Sequence, residues 1–164
     1  VCRCGVNADE VVALYRALYA QRAEVRIDGD RLVDALHGRQ TRAHADLDVA
    51  VPRRDEPGLL RVLAGRGYRR DPAAAEQEGN YVLDDGRGNR VDVHVHEFDR
   101  SGALVYGIAY PPGSLTGTGV IAGVPVRCIA AAWMLSFKTA YPPAAKDLAD
   151  IRALADAFGL EPPG

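Results

Sequence analysis

A chain of 164 residues and 17.6 kDa has the size of one globular domain and is long enough to bury a sizeable core. Its 20 basic and 22 acidic residues give a net charge of -2, with none of the basic excess of a general nucleic-acid binder. No run of about 18 apolar residues occurs, and the first residues show no basic segment followed by an apolar one. The expectation is therefore a cytoplasmic protein without a membrane span or secretory signal.

In chain order, residues 9–22 place Val11, Leu14, Tyr15 and Leu18 at helical spacing, with Asn7 or Asp9 available as a cap. A short strand over 25–28 leads through Gly29 into a second helix carrying Leu32, Val33 and Leu36 and ending at Gly38. Residues 46–51 alternate, with Leu47, Val49 and Val51 on one face and Asp46 and Asp48 on the other. A third helix is predicted over 56–66. Residues 81–83 and 90–98 flank the turn cluster at 84–89 as a hairpin. On its second strand Asp92, His94 and His96 share one face. Residues 101–119, rich in Gly, Pro, Ser and Thr, read as a loop-rich connection, and 120–127 as short strands bent at Gly123. Helices at 130–139 and 144–158 close the chain, separated by Pro142 and Pro143. This order predicts an α+β fold, a small mixed sheet flanked by helices with a helical C-terminal part. We read residues 1–164 as one domain, with a sheet-bearing core over 1–100 and the loop-rich connection and helices over 101–164.

Asp46 and Asp48, two apart on a strand, point the same way with backbone positions about 6.5 Å apart. Such a pair can grip hard divalent cations, because magnesium takes oxygen ligands and completes its shell with water and substrate phosphates. Asp92 is the natural third carboxylate, since two-metal phosphoryl-transfer sites commonly use one. The alternative is a solvated polar strand face. The row Asp92, His94, His96 can serve acid-base chemistry, bind a transition metal, or hold ordinary hydrogen-bonded histidines. Tyr106, Tyr110 and Trp133 are candidates for an acceptor pocket or for the core. Cys2, Cys4 and Cys128 are too few for a disulfide scaffold, and the first two alone do not make a zinc site. Only Lys138 and Lys146 are lysines, which leaves eighteen arginines.

The run from Asp28-Gly29 through Val33-Asp34 to Thr41-Arg42-Ala43-His44-Ala45-Asp46-Leu47-Asp48 resembles the signature of the small lincosamide and aminoglycoside nucleotidyltransferases. These belong to the DNA polymerase beta-like nucleotidyltransferase superfamily. Val91-Asp92-Val93-His94, the stretch 119–128 and Lys146-Asp147-Leu148 resemble further segments of that family, so the likeness runs from about residue 9 to 158. It implies the nucleotidyltransferase fold and Mg2+-dependent transfer of a nucleoside monophosphate, usually from ATP, to a hydroxyl of a small antibiotic. By the same resemblance Asp46 and Asp48 would hold the metals, and Asp92 would complete the site or take the hydroxyl proton. Gly29, Arg42 and Lys146 would face the triphosphate.

The chain departs from the family's pattern at Asp30-Arg31, where a small residue and often tryptophan follow the glycine. A helix start favours anions through its free amides and dipole. Asp30, read as the cap, would occupy those amides, and Arg31 and Leu32 would crowd the approach. Alternatives therefore stay open: a binding or pseudo-enzyme module with a degenerate nucleotide site, a biosynthetic enzyme using the cavity without a nucleotide, or a nucleotidyltransferase acting on a protein. The expected partners are a nucleotide and a small acceptor, without nucleic acid or membrane. A homodimer completing a shallow cleft is also open.

Overall fold

The computed structural model of the chain describes residues 6–38, 44 and 46–161. The protein is built on a mixed eight-stranded sheet flanked by helices, as its α+β pattern predicts. Helix α1 (Ala8–Ala20) starts on a capping box in which Glu10 N–H donates to Asn7 and Asn7 N–H donates to Glu10, both at 2.9 Å. It leads to β1 (Arg26–Asp28), α2 (Gly29–His37), β2 (Asp46–Pro52) and α3 (Glu56–Gly65). Strands β3 (Arg69–Arg70), β4 (Asn80–Asp84), β5 (Arg90–Phe98) and β6 (Leu104–Gly107) follow. Then come β7 (Gly117–Ile121), β8 (Val124–Cys128), α4 (Ala131–Thr139) and α5 (Ala145–Phe158).

The strands lie in the order β3-β4-β5-β2-β1-β8-β7, with β6 added to the end of β5. Strand β2 runs parallel to β5 and antiparallel to β1, while β1 runs parallel to β8. The period-two pattern sends Ile27, Leu47, Val49, Val91 and Val93 into the core, each 1% exposed or less. Val11, Leu14 and Leu18 of α1 pack against Ile27, Leu47 and Val49 on that face. Leu59 and Leu63 of α3 belong to the same core. The opposite face carries the polar residues of β1, β2 and β5 and looks toward α4 and α5. None of the described helices is long and apolar enough to cross a membrane.

Two strands arise where the sequence reads as loop. Strand β6 pairs Leu104, Tyr106 and Gly107 with the end of β5, and β7 begins at Gly117 inside the Gly-rich stretch. The β7–β8 hairpin turns on Ala122 and Gly123, both with positive φ (47° and 77°). That is the tight two-residue geometry whose twist suits antiparallel strands, and it lies where the sequence predicts a bend. Cys128 is buried as a free thiol, and burial pushes its pKa up to about 12. Cys2 and Cys4 lie outside the described residues.

Candidate active site

Register builds the site. Asp28 of β1 stands opposite Asp48 of β2, and Asp48 stands opposite Asp92 of β5, so three carboxylates form one row across three adjacent strands. Asp46 lies two residues back along β2, on the same face. These four and His94 line a cleft of about 680 Å³. Its far wall comes from the C-terminal helices and their connection: Met134, Phe137 and Lys138 of α4, Tyr141, then Lys146 and Asp147 of α5. Ile108, Ala109 and Tyr110 close one side.

Like charges at this spacing cannot all be ionised without cost. Burial first, and then the neighbouring Asp92, Asp28 and Asp46, push the Asp48 pKa up to about 7, with His94 acting against the shift. His94 sits between two of the carboxylates, its Nδ1 3.1 Å from Asp28 and its Nε2 3.3 Å from Asp92. Burial opposes its charged form, but hydrogen bonds and attraction from the two carboxylates prevail and hold its pKa up at about 10. Tyr110 donates its hydroxyl to Asp28 at 2.5 Å, and Gly29 N–H donates to the same carboxylate group at 2.7 Å. Burial works against the Asp28 charge, yet His94, Tyr110 and Gly29 together hold its pKa below the ordinary value. Asp92 also accepts from Asn80 Nδ2 at 2.6 Å.

Oxygens of Asp48 and Asp92 and a ring nitrogen of His94 lie within 4.8 Å of one another, near enough to share one cation. An imidazole carrying protons on both nitrogens has no lone pair to give a metal, so His94 in this arrangement is a counter-ion to the carboxylates. The remaining donors, carboxylate oxygens of Asp48 and Asp92, suit a hard divalent ion.

Several expectations are corrected. The cap of α2 is Asp28, not Asp30, which stands inside the first turn of the helix. Arg31 and Leu32 do not crowd the cleft, because the helix phase turns both inward. Leu32 is fully buried, and Arg31, 2% exposed, meets Asp34 at 3.6 Å. Asp34 is also 2.7 Å from His44, so the conspicuous Arg31 belongs to a buried polar cluster. His96 does not line this cleft. It is buried with its ring edge against Tyr110 and lines a separate cavity of about 300 Å³ with Arg26 and Arg54, burial and those cations pushing its pKa down to about 4. Tyr110 lines the cleft, whereas Tyr106 lies under the Arg53 guanidinium and Trp133 packs on Phe137. Gly29, at φ +59°, abuts Asp48 so closely that a Cβ there would collide with the carboxylate. Arg42 lies outside the described residues. Sequence reasoning missed Asp28, Asn80 and Lys138. For Asp28 the signal was its place at the strand end beside Gly29.

The profile of the aminoglycoside-2''-adenylyltransferase family matches residues 10–154. No curated protein sequence matches the chain. Among solved structures, the lincomycin-bound lincosamide antibiotic adenylyltransferase LnuA is similar with a TM-score of 0.79 and 18% identity, over 93% of this chain and 99% of that one. ANT(2'')-Ia in complex with adenylyl-2''-tobramycin is similar at 0.74 and 23% identity, over 93% and 89%. An antigenic nucleotidyltransferase-like protein from Paracoccidioides brasiliensis is similar at 0.54 and 18% identity, over 91% and 75%. At these identities the likenesses show the nucleotidyltransferase fold. The family profile spans most of the chain, including every strand of the carboxylate row, and the protein therefore belongs to the aminoglycoside-2''-adenylyltransferase family and is a nucleotidyltransferase.

Proposed function

We propose that this enzyme transfers AMP from ATP to a hydroxyl of a small antibiotic-like molecule and releases pyrophosphate, with magnesium held by Asp46, Asp48 and Asp92. The observation that carries the reading is the row of carboxylates across β1, β2 and β5, facing Lys146 over an open cleft. Burial first and then the neighbouring carboxylates push the Asp48 pKa up, and a hard dication held there would offset both. When bound, magnesium supplies neutralisation of the triphosphate and of the charge that builds during transfer.

The protein's own groups do the rest. The acceptor oxygen forms a bond to the α-phosphorus while the bond from that phosphorus to its bridging oxygen breaks, and pyrophosphate leaves with the electron pair. Asp92 takes the acceptor's proton. Asn80 and His94 fix its carboxylate in place, which matters because a base must lie within hydrogen-bond reach of the proton it removes. Lys146 faces the departing pyrophosphate, where a cation stabilises developing charge, and Arg42 is the second candidate for that role. Gly29, lacking a side chain, lets the Asp48 carboxylate lie directly against the start of α2. With Arg31 and Leu32 buried, the steric argument for a degenerate nucleotide site falls away.

Away from the carboxylate row, the cleft lining includes an apolar group among the described residues: Ile108, Ala109, Met134 and Phe137. Its other carboxylates are already engaged, Asp28 with His94 and Asp147 with Lys138. This favours an acceptor with an apolar portion and little charge, of the lincosamide kind, over a polycationic aminoglycoside. Pyrophosphate release measured with ATP, magnesium and either lincomycin or tobramycin tests both halves of the proposal. Release should depend on the acceptor, be greater with lincomycin, and fall by about 10²- to 10⁴-fold in Asp92→Asn. Acceptor-dependent release that survives Asp92→Asn or Asp48→Asn at the normal rate would overturn the assignment of the row.

A further inference from the structure

The two lysines of this arginine-rich chain lie on consecutive helices and both reach the cleft, but in opposite states. Lys146 is exposed. Lys138, in the last turn of α4, is only 4% exposed, with Nζ 2.9 Å from Asp150 and 3.5 Å from Asp147 of α5. Asp147 and Asp150 are themselves 4% and 1% exposed. Lysine is almost never buried to this degree unless paired, and its compact charge on a flexible stem can bridge two helices.

We propose that Lys138 is a positioning residue for Lys146: by tying the first turn of α5 to α4, it sets where Lys146 faces the carboxylate row. The inference rests on the reading of Lys146 as a partner of the triphosphate. Asp147 is the joint. One of its oxygens accepts the N–H of Ala144 at 2.9 Å and so caps α5, and the other meets Lys138. Lys146 is the residue immediately before it. Lys146 is borne by the helix turn that Asp147 caps, so the placement of that turn bears directly on where the lysine meets the cleft. In the connection between the helices, Pro142 and Pro143 have no N–H to donate. At this end the Lys138 contacts hold α5 to α4, and further along the helix Ile151 and Leu154 are buried in the core.

The test measures the dissociation constant of ATP with magnesium, without acceptor, for the wild type, Lys146→Ala, Lys138→Gln and the double variant, each normalised to folded protein by circular dichroism. Loss of one charge-assisted contact to phosphate should weaken ATP binding about tenfold in Lys146→Ala. Lys138→Gln should weaken it to a similar extent, and the double variant should be no weaker than either single one, because both remove the same contact. Lys138→Arg, which keeps the charge, should recover part of the loss. A folded Lys138→Gln that binds ATP within about twofold of the wild type overturns the inference and leaves Lys146 in its role. Losses that multiply in the double variant also overturn it, since Lys138 would then act by itself. Should Lys146→Ala bind ATP normally, the reading of Lys146 fails first and takes the inference with it. If Lys138→Gln does not fold, Asp147→Asn serves instead, because its side-chain oxygen can still cap Ala144 while its charge toward Lys138 is gone. Weaker ATP binding in that variant supports the tie, and unchanged binding refutes it.

Discussion

Asp48 shows what it costs to gather carboxylates on one sheet face. A carboxyl whose pKa rises from 3.8 unfolded to about 7 folded binds its proton more tightly in the folded protein. Its contribution to stability is full below about pH 4 and is lost as pH rises through about 7. Metal-free wild-type protein should therefore lose melting temperature between pH 5 and pH 8 relative to Asp48→Asn, and magnesium at pH 8 should restore the wild type but not the variant. Equal pH slopes for the two proteins in thermal melts would refute this. The sequence revealed Asp46, Asp48 and Asp92 because alternation fixes their faces. Asp28 was hidden, since its place in the row depends on the antiparallel pairing of β1 with β2. Arg31 misled for a related reason: beside a glycine its bulk reads as an obstruction, and only the phase of α2 shows it turned inward against Asp34. Lys138 was silent because its partners are brought to it by the turn between two helices.

The clearest contact between elements is that of α2 with β7. Gly119 lies flat against the helix, and a Cβ there would come 2.6 Å from the Ala35 carbonyl oxygen. Gly119→Ala should cost about 1–3 kcal/mol through overpacking, read as a lower midpoint in urea with the slope unchanged. Gly65→Ala at the end of α3 is the contrast. It meets nothing within 4 Å, so alanine's smaller entropy loss should leave stability equal or about 0.5–1 kcal/mol higher. If both substitutions destabilise alike, the close approach of α2 to β7 is not what Gly119 serves. This contact also explains a misreading. Gly117 and Gly119 give 101–119 the composition of a loop, but both are glycines because backbone presses on them, Ile129 on one and Ala35 on the other. Packing demand and loop character leave the same mark in a sequence. The long elements, α1, β2, α3, β5 and α5, were legible within a few residues because each carries a full stripe or alternation. The two-residue β3 and four-residue β6 are too short to show one.

Across the whole molecule, a net charge of -2 averages over an uneven arrangement, with acidic residues concentrated on one sheet face and the cleft's two lysines on the helices opposite. A ligand binding there bridges the sheet and the C-terminal helices, so it should stabilise the fold as a unit. ATP with magnesium at about 100 times its dissociation constant should add about 2.7 kcal/mol, visible as a shift in thermal midpoint. No shift at saturating ATP would remove the donor from the proposed reaction. The row of aspartates has a further consequence, for kinetics. Its members stand on neighbouring strands about 4.8 Å apart, held by ladder hydrogen bonds and not by loops. A cation bound by these carboxylates would meet them already gathered on one sheet face, so shedding of the ion's own water, and not a rearrangement of the strands, would set the pace of loading. Strands at the centre of a sheet open only with the fold as a whole, and the frame that holds these carboxylates should last as long as the slowest-exchanging amides of β2 and β5.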